Sequence, residues 1–369
     1  MATYTKDMIS SGHATEVLSR TSARHLDIVI QENLTAKEAV EFMKSGMQLR
    51  TFTDNLTAFY KGEDLEQKLL EGLCRYRAMS RQSIRRKVYN WLHNKNLPQD
   101  REEMFCICFI LELDETASDH LLKRLTGQGI HYRDVRELVY AYCLKRQILY
   151  EQAKQMADTL VCPAPVKESG RQPLTDVYKS RFHMLQSQEE LLQFLLENKS
   201  CFGEYHNTAY SYFMQMLDLL TDAGEAAYSL ETVTDTYLRM NMPLNKRTSG
   251  FGTIQKLVKK HWPGSRSIKA MKNRTQDVSR KALLLLYIVT GGVHEDDYEE
   301  LDEDYVMPDE FLEQHCRSIN RMLTESGMAR IDPRNAFDFL ILYAIRPQEE
   351  GLMSEKMAEI VRQLYQDFE

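Results

Sequence analysis

Long apolar runs are missing from this chain. The longest, Met104–Leu111 and Ala282–Val289, hold eight residues each, well short of the ~18 or more that cross a bilayer. The opening MATYTKDMISSGHATEVLSR has no apolar core segment, so no secretory leader is expected there. Glycine and proline are scarce, with 16 and 9 among 369 residues, which excludes collagen-like and low-complexity classes. Seven scattered cysteines, an odd number, argue against a disulfide scaffold and suit reduced thiols in a cytoplasm. Cys106 and Cys108 sit two apart in MFCICFIL, where helical geometry points them in different directions; core positions are expected rather than a metal pair. The signatures of a P-loop, a GxGxxG turn, HExxH and a nucleophile elbow are absent, and no cofactor or metal is implied.

Strict apolar–polar alternation between hairpin turns is absent too, while helical spacing is everywhere. Leu65, Leu69, Leu70 and Leu73 fall on one helical face; Leu191, Leu192, Phe194, Leu195 and Leu196 make one broad face, and Tyr212, Phe213, Met216, Leu217 and Leu220 continue the pattern. The reading is all-α, with fifteen to twenty helices at roughly one per 20 residues. Pro163, Pro165 and Pro173 in VCPAPVKESGRQPL mark a linker. The domains expected are a helical segment at 1–45, a module at 46–160, the linker at 161–174, a central helical region at 175–243 and a second module at 244–369.

The two modules resemble each other. GIHYRDVRELVYAYCLK (129–145) and RIDPRNAFDFLILYAIR (330–346) align at a fixed offset, matching Ile130 with Ile331, Arg133 with Arg334 and Tyr142 with Tyr343. Asp134 and Asn335 are expected as helix N-caps, with Glu137 and Asp338 as the third residues of capping boxes. Upstream of each stands an Arg-led apolar helix, DREEMFCICFILEL and SRKALLLLYIVTGG. The matched order of elements favours duplication, with an acidic insert at 293–314 lengthening the second copy.

The net charge of −7 conceals an uneven distribution. From Arg75 to Arg101 eight bases face one acid, and from Asn245 to Lys281 eleven face one, leaving −24 on the remainder. Each basic segment precedes the Arg-led helix of its module, and each carries one of the two tryptophans, Trp91 and Trp262. A basic surface bearing aromatic residues on an acidic protein is the footprint of a polyanion binder. The phosphate-contacting residues expected are Arg81, Arg85, Arg86, Lys87 and Lys95 in the first copy. In the second they are Lys256, Lys259, Lys260, Arg266, Lys269, Lys272 and Arg274. HEDDYEELDEDYVMPDE (294–310), with ten acids and no base, is either a solvated block or an internal competitor for the basic segments.

Residues 80–122, SRQSIRRKVYNWLHNKNLPQDREEMFCICFILELDETASDHLL, resemble the lambda-repressor-like helix-turn-helix family. The features are Ser80 leading a helix, the basic loop HNKNLP ending in Pro98, the helix REEMFCICF and the ending LELDETASDHLL. The resemblance covers about 45 residues. It implies that the helix from Ser80 to about Trp91 presents Arg81, Arg85 and Arg86 to a DNA groove, and that the source is bacterial. Ala78 stands where the family has glycine, and Lys87 where it has an apolar residue. The fold expected is therefore all-α: two diverged modules related by duplication, each with a degenerate helix-turn-helix-like element, joined by a central helical region. The expected function is that of a non-enzymatic, cytoplasmic nucleic-acid-binding or regulatory protein, with DNA ahead of RNA as partner and no membrane. The alternative is a protein-interaction adaptor built on retired helix-turn-helix modules, which holds a protein partner. A third reading, an all-α ribonuclease of the HEPN kind, rests only on the Arg20/His25 and Arg124/His131 spacings.

Overall fold

The computed structural model describes residues 20–30, 34–98, 100–160, 175–202, 206–221, 229–244, 250–291, 308–346 and 352–368. They are all-helical, with nineteen α-helices and no strand among the described residues. The expected linker at 161–174 and most of the acidic insert lie outside the described residues. In chain order the helices begin with α1 (Arg20–Ile30) and α2 (Ala36–Ser45). Nine follow: α3 (Phe52–Phe59), α4 (Leu65–Tyr76), α5 (Arg81–Leu92), α6 (Arg101–Ile110), α7 (Glu115–Thr126), α8 (Val135–Lys145), α9 (Tyr150–Thr159), α10 (Thr175–Met184) and α11 (Gln188–Glu197). The last eight are α12 (Asn207–Thr221), α13 (Leu230–Val233), α14 (Thr253–Lys259), α15 (Ser265–Lys272), α16 (Arg280–Val289), α17 (Pro308–Glu325), α18 (Ala336–Ala344) and α19 (Met353–Tyr365).

The chain divides into two compact units. One is Arg50–Thr208 with Glu325–Ala329; the other is Met1–Leu49, Ala209–Thr324 and Arg330–Glu369. This partition differs from the linear one read from composition. The expected central region is shared between the units, and the N-terminal helices join the second module. The reason is a set of long-range hydrogen bonds that composition does not register. His25 Nδ1 donates to the Pro333 carbonyl, Arg334 donates to the Gln48 and Leu49 carbonyls, and Arg346 to that of Leu34.

The first unit encloses a continuous core running from Phe52 and Leu56 through the buried face of α6 to Phe194 and Phe202. Cys106 and Cys108 lie in it, fully buried as expected. Burial pushes both thiols up to about 12. In the second unit α16 and α18 are buried on almost every side, which is why their sequences read as unbroken apolar runs.

One hydrogen-bonded frame recurs in both units. Arg101 Nε and Nη2 grip the Glu137 carboxylate at 2.7 Å each, and Arg280 grips that of Asp338 at 2.6 and 2.8 Å. The same carboxylates accept from the His131 amide at 2.7 Å and the Asp332 amide at 2.9 Å. Asp119 takes the Ile130 amide at 2.8 Å, and Asn320 takes the Ile331 amide at 2.9 Å. Asp134 and Asn335 cap α8 and α18 as expected. Glu137 and Asp338 do not close capping boxes, however. Each reaches past the cap to the amide six residues upstream and to the arginine, because a charge-assisted bidentate pair outweighs one neutral amide bond.

Candidate nucleic-acid interface

Helix α4, a turn over residues 77–80 and helix α5 form a helix–turn–helix hairpin. Ser80 is the N-cap of α5 and accepts from the Ser83 amide. Ile84, Val88 and Trp91, at helical spacing, bury one face of α5. Arg81, Arg85, Tyr89 and His93 follow at successive four-residue steps along the exposed surface of α5, with Arg86 further round, all exposed. Arg81, Arg85 and Arg86 carry no ion pair among the described residues. Tyr89 stacks on the His93 ring at 3.9 Å, and the Lys95 ammonium lies 4.6 Å from the Tyr89 centroid.

Lys87 departs from its expected role. Its ammonium pairs with Glu103, a carboxylate only 8% exposed, and lies 5.3 Å from the Trp91 ring. Its charge thus meets a carboxylate that burial would otherwise leave without a counter-ion. Of the two tryptophans Trp91 is buried and Trp262 half-buried. Trp91 is buried against Phe52, and Trp262 donates its indole N–H to the Leu238 carbonyl at 3.0 Å. The exposed aromatic of the segment is Tyr89, which its position one residue after buried Val88 could have signalled.

Helix α15 is the counterpart in the second unit. Ile268 and Met271 are buried, while Arg266 and Lys269 are exposed and Lys272 is half-buried. It is one turn shorter than α5, and both helices end the same way. Asn94 and Arg274 adopt left-handed backbone at φ 54° and 51°. Lys95 and Thr275 then donate back to the Asn90 and Ala270 carbonyls at 2.8 and 2.9 Å. Arg274 stacks over Tyr210 at 3.9 Å, Lys259 lies over Phe251 at 5.0 Å, and Lys256 and Lys260 stand exposed on and after α14. Lys281 is turned inward, donating to the Leu257, Val258 and Lys260 carbonyls at 3.0, 2.7 and 2.6 Å and closing the carboxyl end of α14.

Of the two histidines in the nuclease reading, His25 is held by internal hydrogen bonds. His25 is 1% exposed; its Nδ1 donates to Pro333 and its Nε2 accepts from the Gln48 amide at 3.3 Å. Burial, first among several influences, lowers its pKa. Arg124 lies over the Phe59 ring. Among the described residues no group of three or more His, Cys, Asp or Glu side chains could hold a metal, and no helix is long and apolar enough to cross a membrane. No family model, curated protein or solved structure matches the chain.

Proposed function

We propose that this is a non-enzymatic nucleic-acid-binding or regulatory protein of the bacterial cytoplasm that contacts phosphate through α5 and α15. The observation that carries the reading is the outer face of α5. Three arginines stand exposed and free of acidic partners on the second helix of a helix–turn–helix hairpin, in a chain of net charge −7. Unpaired arginines within a short helix repel one another, an arrangement that an anionic partner relieves. Arg81, Arg85, Arg86 and Lys95 are the first contact set, and Arg266, Lys269 and Lys272 the second, with Lys256 and Lys260 flanking. The shared frame of Arg101–Glu137 and Arg280–Asp338 supports an origin by duplication.

A salt-titrated anisotropy assay with duplex and single-stranded DNA and RNA tests this reading. Arg85→Glu with Arg86→Glu should weaken binding and flatten the salt dependence by about 0.9 in log–log slope for each phosphate charge that is no longer neutralised. No binding of any strand at low salt would refute it.

A second reading, an adaptor for another protein, draws on α10 and α11. Val177 and Met184 are 53% and 66% exposed, and Leu192 and Leu196 are 37% and 67% exposed. Partners retained after nuclease treatment, and released by Leu192→Arg with Leu196→Arg, would favour it over nucleic acid.

A further inference from the structure

The two units share a frame, so the places where they differ show what the frame does not need. One such place surrounds Glu102. Its Oε1 accepts from the Tyr140 and Tyr150 hydroxyls at 2.6 Å each, and its other oxygen lies 3.6 Å from Arg136. Arg136 also donates to the Tyr140 hydroxyl at 2.8 Å and pairs with Asp158. The matching residues of the second unit are Lys281 for Glu102, Phe337 for Arg136 and Ile341 for Tyr140. Phe337 and Ile341 are buried hydrocarbon, and Lys281 serves α14 instead. One frame thus stands with the polar network and without it.

Beside this network, α4 and α9 line a groove of about 420 Å³. Tyr76 and Tyr150 lie in its lining with ring centroids 5.0 Å apart. The Glu102 hydrogen bond fixes Tyr150, and Tyr76 is half-exposed. Arg75 and Lys154 line the same groove, both exposed and neither ion-paired among the described residues. The Arg75 guanidinium lies 5.9 Å from the Tyr76 ring centroid. Gln155 adds an amide with both a donor and an acceptor. Asp158 shares Arg136 with Glu102, and Glu151 adds a further negative charge to the lining.

Two cations beside a half-exposed ring select an anion that carries a planar group. The acids of the lining set a limit, because they oppose a polyphosphate more than a single phosphate. We infer that the groove is a nucleotide site: an aromatic base lies against Tyr76, its edge meets Gln155, and one phosphate sits between Arg75 and Lys154. The ligand is either a free nucleoside monophosphate or an unpaired nucleotide of a bound strand. The strand source rests on the function proposed above; the free source does not.

Equilibrium titration of the full chain with the four ribonucleoside 5′-monophosphates, inorganic phosphate and a short single-stranded oligonucleotide tests the assignment. At least one monophosphate should bind roughly fivefold or more tighter than inorganic phosphate, which is the lower end of what one stacked ring contributes. Arg75→Ala with Lys154→Ala should abolish that binding without moving the melting temperature, since both side chains are on the surface. Tyr76→Leu should remove the preference over inorganic phosphate. Arg85→Glu with Arg86→Glu should leave mononucleotide binding intact even where duplex binding disappears, which separates this site from α5. Binding of the oligonucleotide alone, weakened by the same groove variants, assigns the strand source. If neither mononucleotide nor oligonucleotide binding responds to Arg75, Lys154 or Tyr76, the assignment is overturned.

Discussion

Arg280 and Asp338 form an enclosed ion pair in the second unit, with side chains 12% and 2% exposed. Two charges taken out of water hold together only while each has the other, so removing one strands its partner. Asp338→Ala should therefore destabilise the second unit by about 3–5 kcal/mol, read by chemical denaturation. Replacing both residues with apolar ones should cost far less. The cysteines show the opposite use of burial. Cys106, Cys108, Cys143 and Cys316 have thiols pushed up to about 12 by desolvation. Almost no thiolate is then present near neutrality, so iodoacetamide should modify half-buried Cys74 well before any of these four, and those four only on unfolding. The apolar runs around Cys106, Cys108 and Cys143 made their burial legible in the sequence, whereas Cys316 stands in the polar stretch EQHCRSIN. The role of Lys87 was not legible, because a lysine paired with Glu103 reads identically to a surface lysine until the partners are placed.

At the scale of the element, periodicity and caps carried most of the information. Thr35, Ser80, Asp114, Asp134, Ser187, Ser279 and Asn335 each accept an amide at a helix start. Helix ends were harder, since several stop on a non-glycine residue in the left-handed region. Glu112 does so after α6 at φ 54°, and the matching residue after α16 is Gly291 at φ 71°. Glu112→Gly should relieve the strain and raise stability by roughly 1 kcal/mol. Its exposed pair with Lys68 subtracts little, the Glu112 side chain being 73% exposed. A lower melting temperature would contradict this. Helix α10 is held by Glu115, which accepts from the Tyr132 hydroxyl and from His183 Nε2 at 2.8 Å. Burial alone would raise the Glu115 pKa, but the His183 and Tyr132 hydrogen bonds and the neighbouring charges outweigh it and hold the pKa below the usual carboxylate value. A carboxylate lowered on folding contributes stability above its unfolded pKa and loses it as pH falls through the folded one. Acidification below the ordinary carboxylate range should therefore expose α10 amides to hydrogen exchange, and Glu115→Gln should expose them at neutral pH as well.

At the scale of the whole chain, the total charge conceals two basic runs. The basic runs mark α5 and α15, but their members divide by contact. Lys87 and Lys281 serve the fold, while Arg81, Arg85, Arg86, Arg266 and Lys269 face outward. The partition into units escaped the sequence because it depends on pairs such as His25–Pro333, separated by 308 positions. Two units that each carry an outward cationic helix lead to a prediction about additivity. If α5 and α15 both contact one nucleic-acid molecule, reversing Arg85 and Arg86 and reversing Arg266 and Lys269 should each flatten the salt dependence. Combining them should then add in log K and in slope, since contacts that share no partner contribute independently. Salt-titrated anisotropy on the two double variants and the quadruple variant reads this directly. If the α15 pair changes neither affinity nor slope while the α5 pair changes both, binding belongs to the first unit alone, and α15 serves another purpose.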